Sequence, residues 1–242
     1  MRKYRVFLVV LLTVAMLLGC TVPSNSGVTV TGSGNVVTQE EDFSGFENLE
    51  VSHAFRVTIR QGDAYRVVIR VDDNLVQYLR VSQVGDTVEI GLTSGVSVLR
   101  ATMEAEVTMP ALGELELSGA SSATVTGFDA EEAFRANLSG ASKLQGNLQA
   151  GDVRLDISGA SNVSLTGSAS NLTLNASGAS KVDLSEFRVN DGTVEASGAS
   201  TATVYALGKL YLEATGASHI YYLGSPTIER LETSGASTIG QK

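Results

Sequence analysis

The chain has 242 residues and a formal net charge of −9, from 17 basic and 26 acidic side chains. This length suits one large all-β domain or two small ones. The acidic excess argues against a nucleic-acid partner and against docking on anionic lipid by charge alone. With 25 glycines and only three prolines, the composition is typical of regular strands joined by tight turns.

The first 19 residues have the layout of a secretory signal peptide. Three basic side chains lie among the first five residues, and an apolar run over residues 6–18 is too short for an ordinary membrane-spanning helix. The run ends in Leu17-Leu18-Gly19-Cys20, which resembles the bacterial lipobox. The alternative is an ordinary signal peptide followed by a chance cysteine. We predict cleavage before Cys20, lipidation of Cys20 and membrane attachment through that lipid.

The rest of the chain is divided by its composition. The sequence predicts that residues 20–30 form the lipidated N-terminus and a flexible tether, because they are mostly small and polar. Residues 31–242 are predicted to form a single solenoid domain, irregular over 31–112 and regular over 113–242. Without its leader this chain carries 14 basic and 26 acidic residues, a net charge of −12.

The irregular part contains a degenerate copy of the repeat described below. Residues 49–59 overlay residues 115–125 position for position, and strand-like runs follow at residues 65–71, 84–92 and 101–109. Asp72 or Asp73 is predicted to cap a short helix that runs to Leu79. This part either continues the coils or covers the N-terminal edge of the solenoid, which needs cover because open edges pair with other chains.

A four-residue motif, Ser-Gly-Ala-Ser (SGAS), recurs through the second half of the chain, once with threonine in the first place. Its seven copies begin at Ser118, Ser139, Ser158, Ser177, Ser197, Thr215 and Ser234. A spacing of 18 to 21 residues is typical of a solenoid. Apolar residues recur in steps of two on both sides of each motif, which indicates half-buried strands. The sequence predicts an all-β parallel β-helix with about 19 residues per coil.

Each SGAS motif is predicted to be the bend of its coil. The alanine stands three residues after one inward strand position and three residues before the next. The alternation is therefore broken twice within the motif, and we predict that the alanine turns inward at the corner. The glycine supplies the unusual backbone angle, and the hydroxyls bond the backbone. On this interpretation, Ala160→Leu would overpack the core and destabilise the fold.

The sequence offers little catalytic chemistry. Its two histidines are His53, which replaces the glycine of the degenerate motif, and His219, which stands on an outward strand position. Neither has a second ligand or a nucleophile nearby in the pattern. Phosphate-binding glycine motifs and metal-type cysteine clusters are absent from the sequence. We predict no catalytic residue, no metal site and no cofactor.

The most regular polar feature lies two residues before each SGAS motif. It comprises Glu116, Asn137, Asp156, Asn175, Glu195, Glu213 and Glu232. In a β-helix these side chains form an outward column, and the last three are close enough to repel one another. The column is either a groove for a divalent cation or a glycan, or a solvated face relieved by basic neighbours such as Arg154 and Arg230.

Aromatic side chains add a second surface feature in the C-terminal coils. Tyr211 and Tyr221 stand on outward positions near His219. Exposed rings on a flat sheet stack on sugars or protein partners, or they only stabilise the sheet as cross-strand pairs. The candidate ligand surface therefore comprises Glu195, Glu213, Glu232, Tyr211, His219 and Tyr221.

Several segments together resemble one bacterial family. They are the lipoprotein-like start, the segments Gly34-Asn35-Val36-Val37, Phe46-Glu47-Asn48-Leu49-Glu50-Val51 and Met109-Pro110-Ala111-Leu112, and the SGAS series. The family is described as "putative auto-transporter adhesin, head GIN domain", and the resemblance runs from about Gly32 to Thr238. It implies an exported, often lipid-anchored and β-helical protein, and it brings no catalytic residues.

Two classes of function follow from these features. The first is a non-enzymatic cell-envelope lipoprotein that presents a solenoid surface for adhesion to a glycan or an envelope protein. It would be exported to the bacterial cell envelope and anchored there by its lipid, in the outer membrane or on the cell surface if the cell is Gram-negative. The alternative is a polysaccharide-active β-helix enzyme that uses the carboxylate column. Short loops and evenly spread acids favour the first, because an enzyme needs convergent carboxylates in a cleft. Association into a homo-oligomer stays open.

Overall fold

The structure, a computed structural model, describes residues 27–129 and 131–242 and consists almost entirely of β-strands. The predicted signal peptide (residues 1–19) and Cys20 lie outside the described residues. No helix in the described part is long and apolar enough to cross a membrane. The strands of the first half are β1 (Val28–Thr31), β2 (Val36–Glu41), β3 (Asn48–Val51), β4 (Arg56–Gln61), β5 (Arg66–Asp72), β6 (Leu79–Val84), β7 (Thr87–Leu92), β8 (Val96–Leu99) and β9 (Met103–Met109).

The second half is a stack of parallel coils. Its strands are β10 (Glu114–Leu117), β11 (Ser122–Asp129), β12 (Phe134–Leu138), β13 (Lys143–Ile157), β14 (Asn162–Ala176), β15 (Lys181–Ala196), β16 (Thr201–Ala206), β17 (Lys209–Ala214), β18 (His219–Leu223), β19 (Thr227–Thr233) and β20 (Thr238–Gln241). Each pairs in parallel with the equivalent strand one coil away, so that Leu155 lies beside Leu174 and Leu144 beside Val163. The predicted parallel β-helix is confirmed, with coils about 20 residues apart.

The N-terminal half both continues the coils and covers their edge. Strands β3 and β4 pair in parallel with β10 and β11, and β7 and β9 pair in parallel with β3 and β4. Leu49 pairs with Leu115, which is the overlay that the degenerate motif predicts. Beyond these coils the pairing becomes antiparallel, with β6 on β7, β5 on β9, and β2 on β5.

A short helix closes this end of the core. It is a 3₁₀ helix over Asp73–Tyr78, and it buries Leu75 completely. The predicted capping role of Asp72 is wrong, because its side chain bonds no helical amide. The buried Asp72 carboxylate instead accepts hydrogen bonds from the amides of Gly34 at 3.1 Å and Thr102 at 3.4 Å. It therefore joins the segments on either side of the helix.

Part of the predicted tether over residues 20–30 forms a strand. Strand β1 begins at Val28 and pairs in parallel with β8, from Val28 beside Val96 to Thr31 beside Leu99. The tether prediction is therefore wrong for residues 28–30, which belong to a small two-stranded sheet. Residues 20–26 lie outside the described residues.

Each SGAS motif forms a tight turn, but its alanine does not face the core. Glycines such as Gly159 and Gly178 have positive φ angles of 71° and 73°. The alanines of the motif are exposed in the coils, whereas the final serines are buried in the first six copies. The prediction of an inward alanine was wrong, because the turn preserves the alternation of the strands and the serine continues their inward series.

Burial falls sharply in the last coil. Leu212 is buried, but Leu231, its neighbour in the same core column, is 49% exposed. Ile220 is likewise fully buried, whereas its neighbour Ile239 is only half-buried. Within the described residues, the core therefore runs from the helix-covered N-terminal end to the coil of Leu212 and Ile220, and the coil after it is only partly covered.

Candidate functional site

The predicted polar column exists, and it is longer than the SGAS motifs indicate. Parallel pairing continues it upward through Glu50 to Glu89 in the N-terminal coils. In spatial order its nine members are Glu89, Glu50, Glu116, Asn137, Asp156, Asn175, Glu195, Glu213 and Glu232. Sequence reasoning missed the first two, although the overlay of residues 49–59 on 115–125 contained the signal for Glu50.

In the middle of the column, hydrogen bonds and an ion pair offset the charge of the carboxylates. Asn175 donates a 2.6 Å hydrogen bond to Asp156, and Asp156 also forms a 2.7 Å ion pair with Arg154. Asn137 donates a 2.7 Å hydrogen bond to Glu114 in the adjacent column. Amides between acids separate the carboxylates and bind them, so this stretch costs little electrostatic free energy.

The two ends of the column are different, because each holds three successive glutamates. At the N-terminal end, burial raises the pKa of Glu50 above its ordinary value, and the carboxylates of Glu116 and Glu89 raise it further. At the C-terminal end, Arg230 lies 2.7 Å from Glu232 and 3.3 Å from Glu213. The hydrogen bond from Arg230 lowers the pKa of Glu232.

Tyr211 stands beside the C-terminal glutamates. It precedes Glu213 by two residues on the same outward face of β17, and its side chain is 39% exposed. Across the sheet it pairs with Thr193 on one side and Arg230 on the other. The structure therefore brings together four of the six predicted surface residues, and we call Glu195, Glu213, Glu232 and Tyr211 the acidic patch.

His219 and Tyr221 belong to a different face. Both lie on β18, which follows the SGAS-type turn that begins at Thr215. His219 Nδ1 is 2.7 Å from the hydroxyl of Thr238, and the Lys242 ammonium lies 4.1 Å from the centre of the Tyr221 ring. The predicted ligand surface is thus two separate groups on either side of a turn.

The other histidine supports the backbone. His53 and Ala54 both have positive φ angles, of 59° and 61°. Nδ1 of His53 lies 2.8 Å from the Ser52 hydroxyl and accepts a 3.4 Å hydrogen bond from the amide of Leu92. The hydrogen-bond partners of His53 in the described residues do not include an acidic side chain, which a catalytic serine–histidine pair would need. The contacts of His53 are those of a residue that stabilises a turn.

The structure also contains a second polar column that the sequence analysis missed. Asp152, Asn171 and Asp191 lie side by side on the variable part of three coils. Asn171 donates a 2.7 Å hydrogen bond to Asp152, and Asp191 accepts one of 2.6 Å from the amide of Lys209. Their spacing of 19 and 20 residues was the available signal.

Concave sites in the described coils are small or shallow. A pocket of about 160 Å³ opens beside β12 and is lined by apolar side chains such as Leu112, Phe128 and Phe134. Across residues 27–129 and 131–242, no group of three histidine, cysteine or acidic side chains is placed to hold a metal ion. The outward strands therefore present flat polar surface rather than a deep cleft.

Comparison with known proteins bears on both fold and family. The family model described as "Putative auto-transporter adhesin, head GIN domain" matches residues 45–226, which confirms the resemblance. The crystal structure titled "putative adhesin" from Bacteroides fragilis is 19% identical, with a TM-score of 0.75, and the match covers 88% of this chain and all of that one. A search of curated proteins finds no match.

Two further solved structures share the fold. A protein titled "putative lipid binding protein" from Parabacteroides distasonis is 19% identical, with a TM-score of 0.69, over 89% of this chain and 100% of that chain. A "putative adhesin" from Parabacteroides merdae is 15% identical, with a TM-score of 0.63, over 88% of this chain and 99% of that chain. At these identities the likeness concerns the fold alone.

Proposed function

Because the chain belongs to the family described as "Putative auto-transporter adhesin, head GIN domain", we propose that it is a non-enzymatic, exported envelope protein that adheres to a glycan or an envelope protein through its solenoid surface. Lipidation at Cys20 would hold the coils at the membrane, and residues 21–27 would act as the tether. One observation carries the assignment of the binding surface: an exposed Tyr211 stands beside three successive glutamates on a flat sheet face.

The chemistry of the acidic patch fits a partner with both polar and apolar faces. The Tyr211 ring offers a stacking surface for a sugar ring or an apolar side chain. Glu195 and Glu213 offer acceptors for hydroxyl or ammonium groups beside that ring. Because the carboxylates lie one coil apart in register, the patch suits an extended partner that runs along the column.

The experiment compares binding to a glycan array and to purified envelope proteins by the full chain and its variants. Tyr211→Ala and Glu213→Gln should each weaken binding about tenfold, because each removes a central contact. Thr173→Ala is the matched control, since Thr173 lies in the same outward column as Tyr211, two coils away. It should bind like the unchanged chain. Equal binding by all three variants contradicts the acidic patch.

The second group is tested separately. Tyr221→Ala changes the face that carries His219 and leaves the acidic patch intact. If Tyr221→Ala alone abolishes binding, the adhesive surface is the β18 face, and our assignment to the acidic patch is wrong.

The enzymatic alternative has its own readout. Acidic polysaccharides are incubated with the chain, and new reducing ends are measured. We expect none. Turnover that Glu195→Gln abolishes would establish a polysaccharide-active enzyme and overturn the proposed function.

A further inference from the structure

The last coil carries apolar side chains at the core positions, but these side chains are not fully buried. The core column three residues before each SGAS motif is buried in every coil but the last; its buried members are Leu115, Ala136, Leu155, Leu174, Val194 and Leu212. Leu231 occupies the same column and is 49% exposed. Ile228 on the same strand is half-buried, whereas its neighbour Leu210 is fully buried. In the part of the chain that the structure describes, no further layer covers these apolar side chains.

The backbone of this coil is also unpaired on one side. Within the described residues, β19 pairs with β17 and has no second neighbouring strand. An edge strand with free amides, free carbonyls and an exposed leucine is a template for pairing with another strand. At the opposite end, β2, β6 and the 3₁₀ helix cover the coils. A second copy therefore cannot simply continue the stack head to tail, because its N-terminal end offers no matching parallel edge.

The sequence of β19 is self-complementary in charge. Arg230 and Glu232 flank Leu231 and share the outward face of the strand. In an antiparallel pair of two β19 strands centred on Leu231, the two leucines are neighbours on the core face. Arg230 of each copy then lies opposite Glu232 of the other. A two-fold axis generates both ion pairs at once, as an isologous interface requires.

We propose that two copies of the chain associate end to end, through antiparallel pairing of their β19 strands around Leu231. This pairing buries Leu231 and Ile228 and extends the sheet across the interface. It also places the two acidic patches side by side on one continuous face. The dimer goes beyond the adhesive function and does not depend on it.

The test is the association state of the full chain, measured by sedimentation velocity in a detergent that keeps the N-terminal segment soluble. The unchanged chain should be a dimer, and Leu231→Glu should be a monomer. Arg230→Glu and Glu232→Arg should each weaken the dimer about tenfold, because each places like charges opposite one another. The double variant, with the two charges exchanged, should restore it.

Arg154→Glu is the matched control, because Arg154 forms the same kind of ion pair with Asp156 far from β19. It should leave the dimer unchanged. Circular dichroism shows whether Leu231→Glu still folds, and the charge variants test the interface if it does not. A monomer at the highest soluble concentration, an assembly larger than a dimer, or failure of the double variant to restore association overturns the proposal.

Discussion

The hydroxyl of Ser218 lies 2.9 Å from the carbonyl oxygen of Ala196 in the preceding coil, and also 2.9 Å from that of Thr215 in its own turn. Ser200 has the same relationship to Ala176 at 3.1 Å and to Ser197 at 2.9 Å. A buried hydroxyl with two acceptors in reach is satisfied. In these two coils the final serine of the SGAS motif thereby joins successive coils from inside the core.

Loss of this hydroxyl should be measurable. Ser218→Ala removes a donor from two carbonyls and should lower the free energy of unfolding by about 1 kcal/mol. Ser161→Ala is the matched control, because the buried Ser161 hydroxyl has no acceptor among the described residues. That change should be neutral or stabilising. Urea denaturation of both variants checks the prediction, and equal losses would show that the hydrogen bonds contribute nothing.

Two neighbouring positions of one turn should differ in how well they tolerate a larger side chain. Gly159 has a φ of 71°, and a Cβ there would overlap the carbonyl oxygen of Gly140. Gly159→Ala should therefore cost about 1–3 kcal/mol or more. Ala160 is exposed, so Ala160→Leu should change stability by less than about 0.5 kcal/mol. Thermal melting compares the two variants. A large loss of stability in Ala160→Leu would show that the alanine faces the core.

The coil architecture could be predicted from sequence because the repeat enforces it. Seven copies of one motif fix the spacing, and the alternation on either side fixes which strand residues face inward. The orientation inside the motif could not be predicted in this way. A small apolar alanine looked like the inward residue, whereas Ser200 is buried because carbonyls of its own turn and of a neighbouring coil are in reach.

Pairing direction and site grouping were also beyond the sequence. The runs that became β5 and β9 were recognisable as strands, but nothing local shows that β5 runs antiparallel to β9. The outward register of Glu195 and Glu213 followed from the repeat. The separation of His219 from these glutamates did not follow from the repeat, because it depends on the angle by which the SGAS turn changes the chain direction.

The N-terminal cover should be essential to the stack. Leu75 of the 3₁₀ helix is fully buried, and Leu75→Ala should lower the free energy of unfolding by about 2–5 kcal/mol. Gln77→Ala, on the exposed side of the same helix, should change it by less than about 0.5 kcal/mol. Urea denaturation measures both values. Similar small effects in the two variants would mean that the helix does not close the core.

The N-terminal glutamates should make stability depend on pH. Because the pKa of Glu50 is raised above its ordinary value of 4.5, the folded state keeps this proton to higher pH than the unfolded state. Stability therefore falls as pH rises from 4.5 through the raised pKa. Glu50→Gln removes the charge, so it should melt at a higher temperature than the unchanged chain at pH 7. The difference should vanish below pH 4.5.

Glu106 provides a control of opposite sign. Its pKa is lowered, chiefly by the 2.6 Å hydrogen bond from Arg70. Its carboxylate therefore stabilises the fold above its unfolded pKa, and this contribution is lost as pH falls through the lowered value. Glu106→Gln should melt slightly below the unchanged chain at pH 7 and approach it in acid. If Glu50→Gln lowers the melting temperature at pH 7, as Glu106→Gln should, then burial of the Glu50 carboxylate and its repulsion by Glu116 and Glu89 do not destabilise the fold.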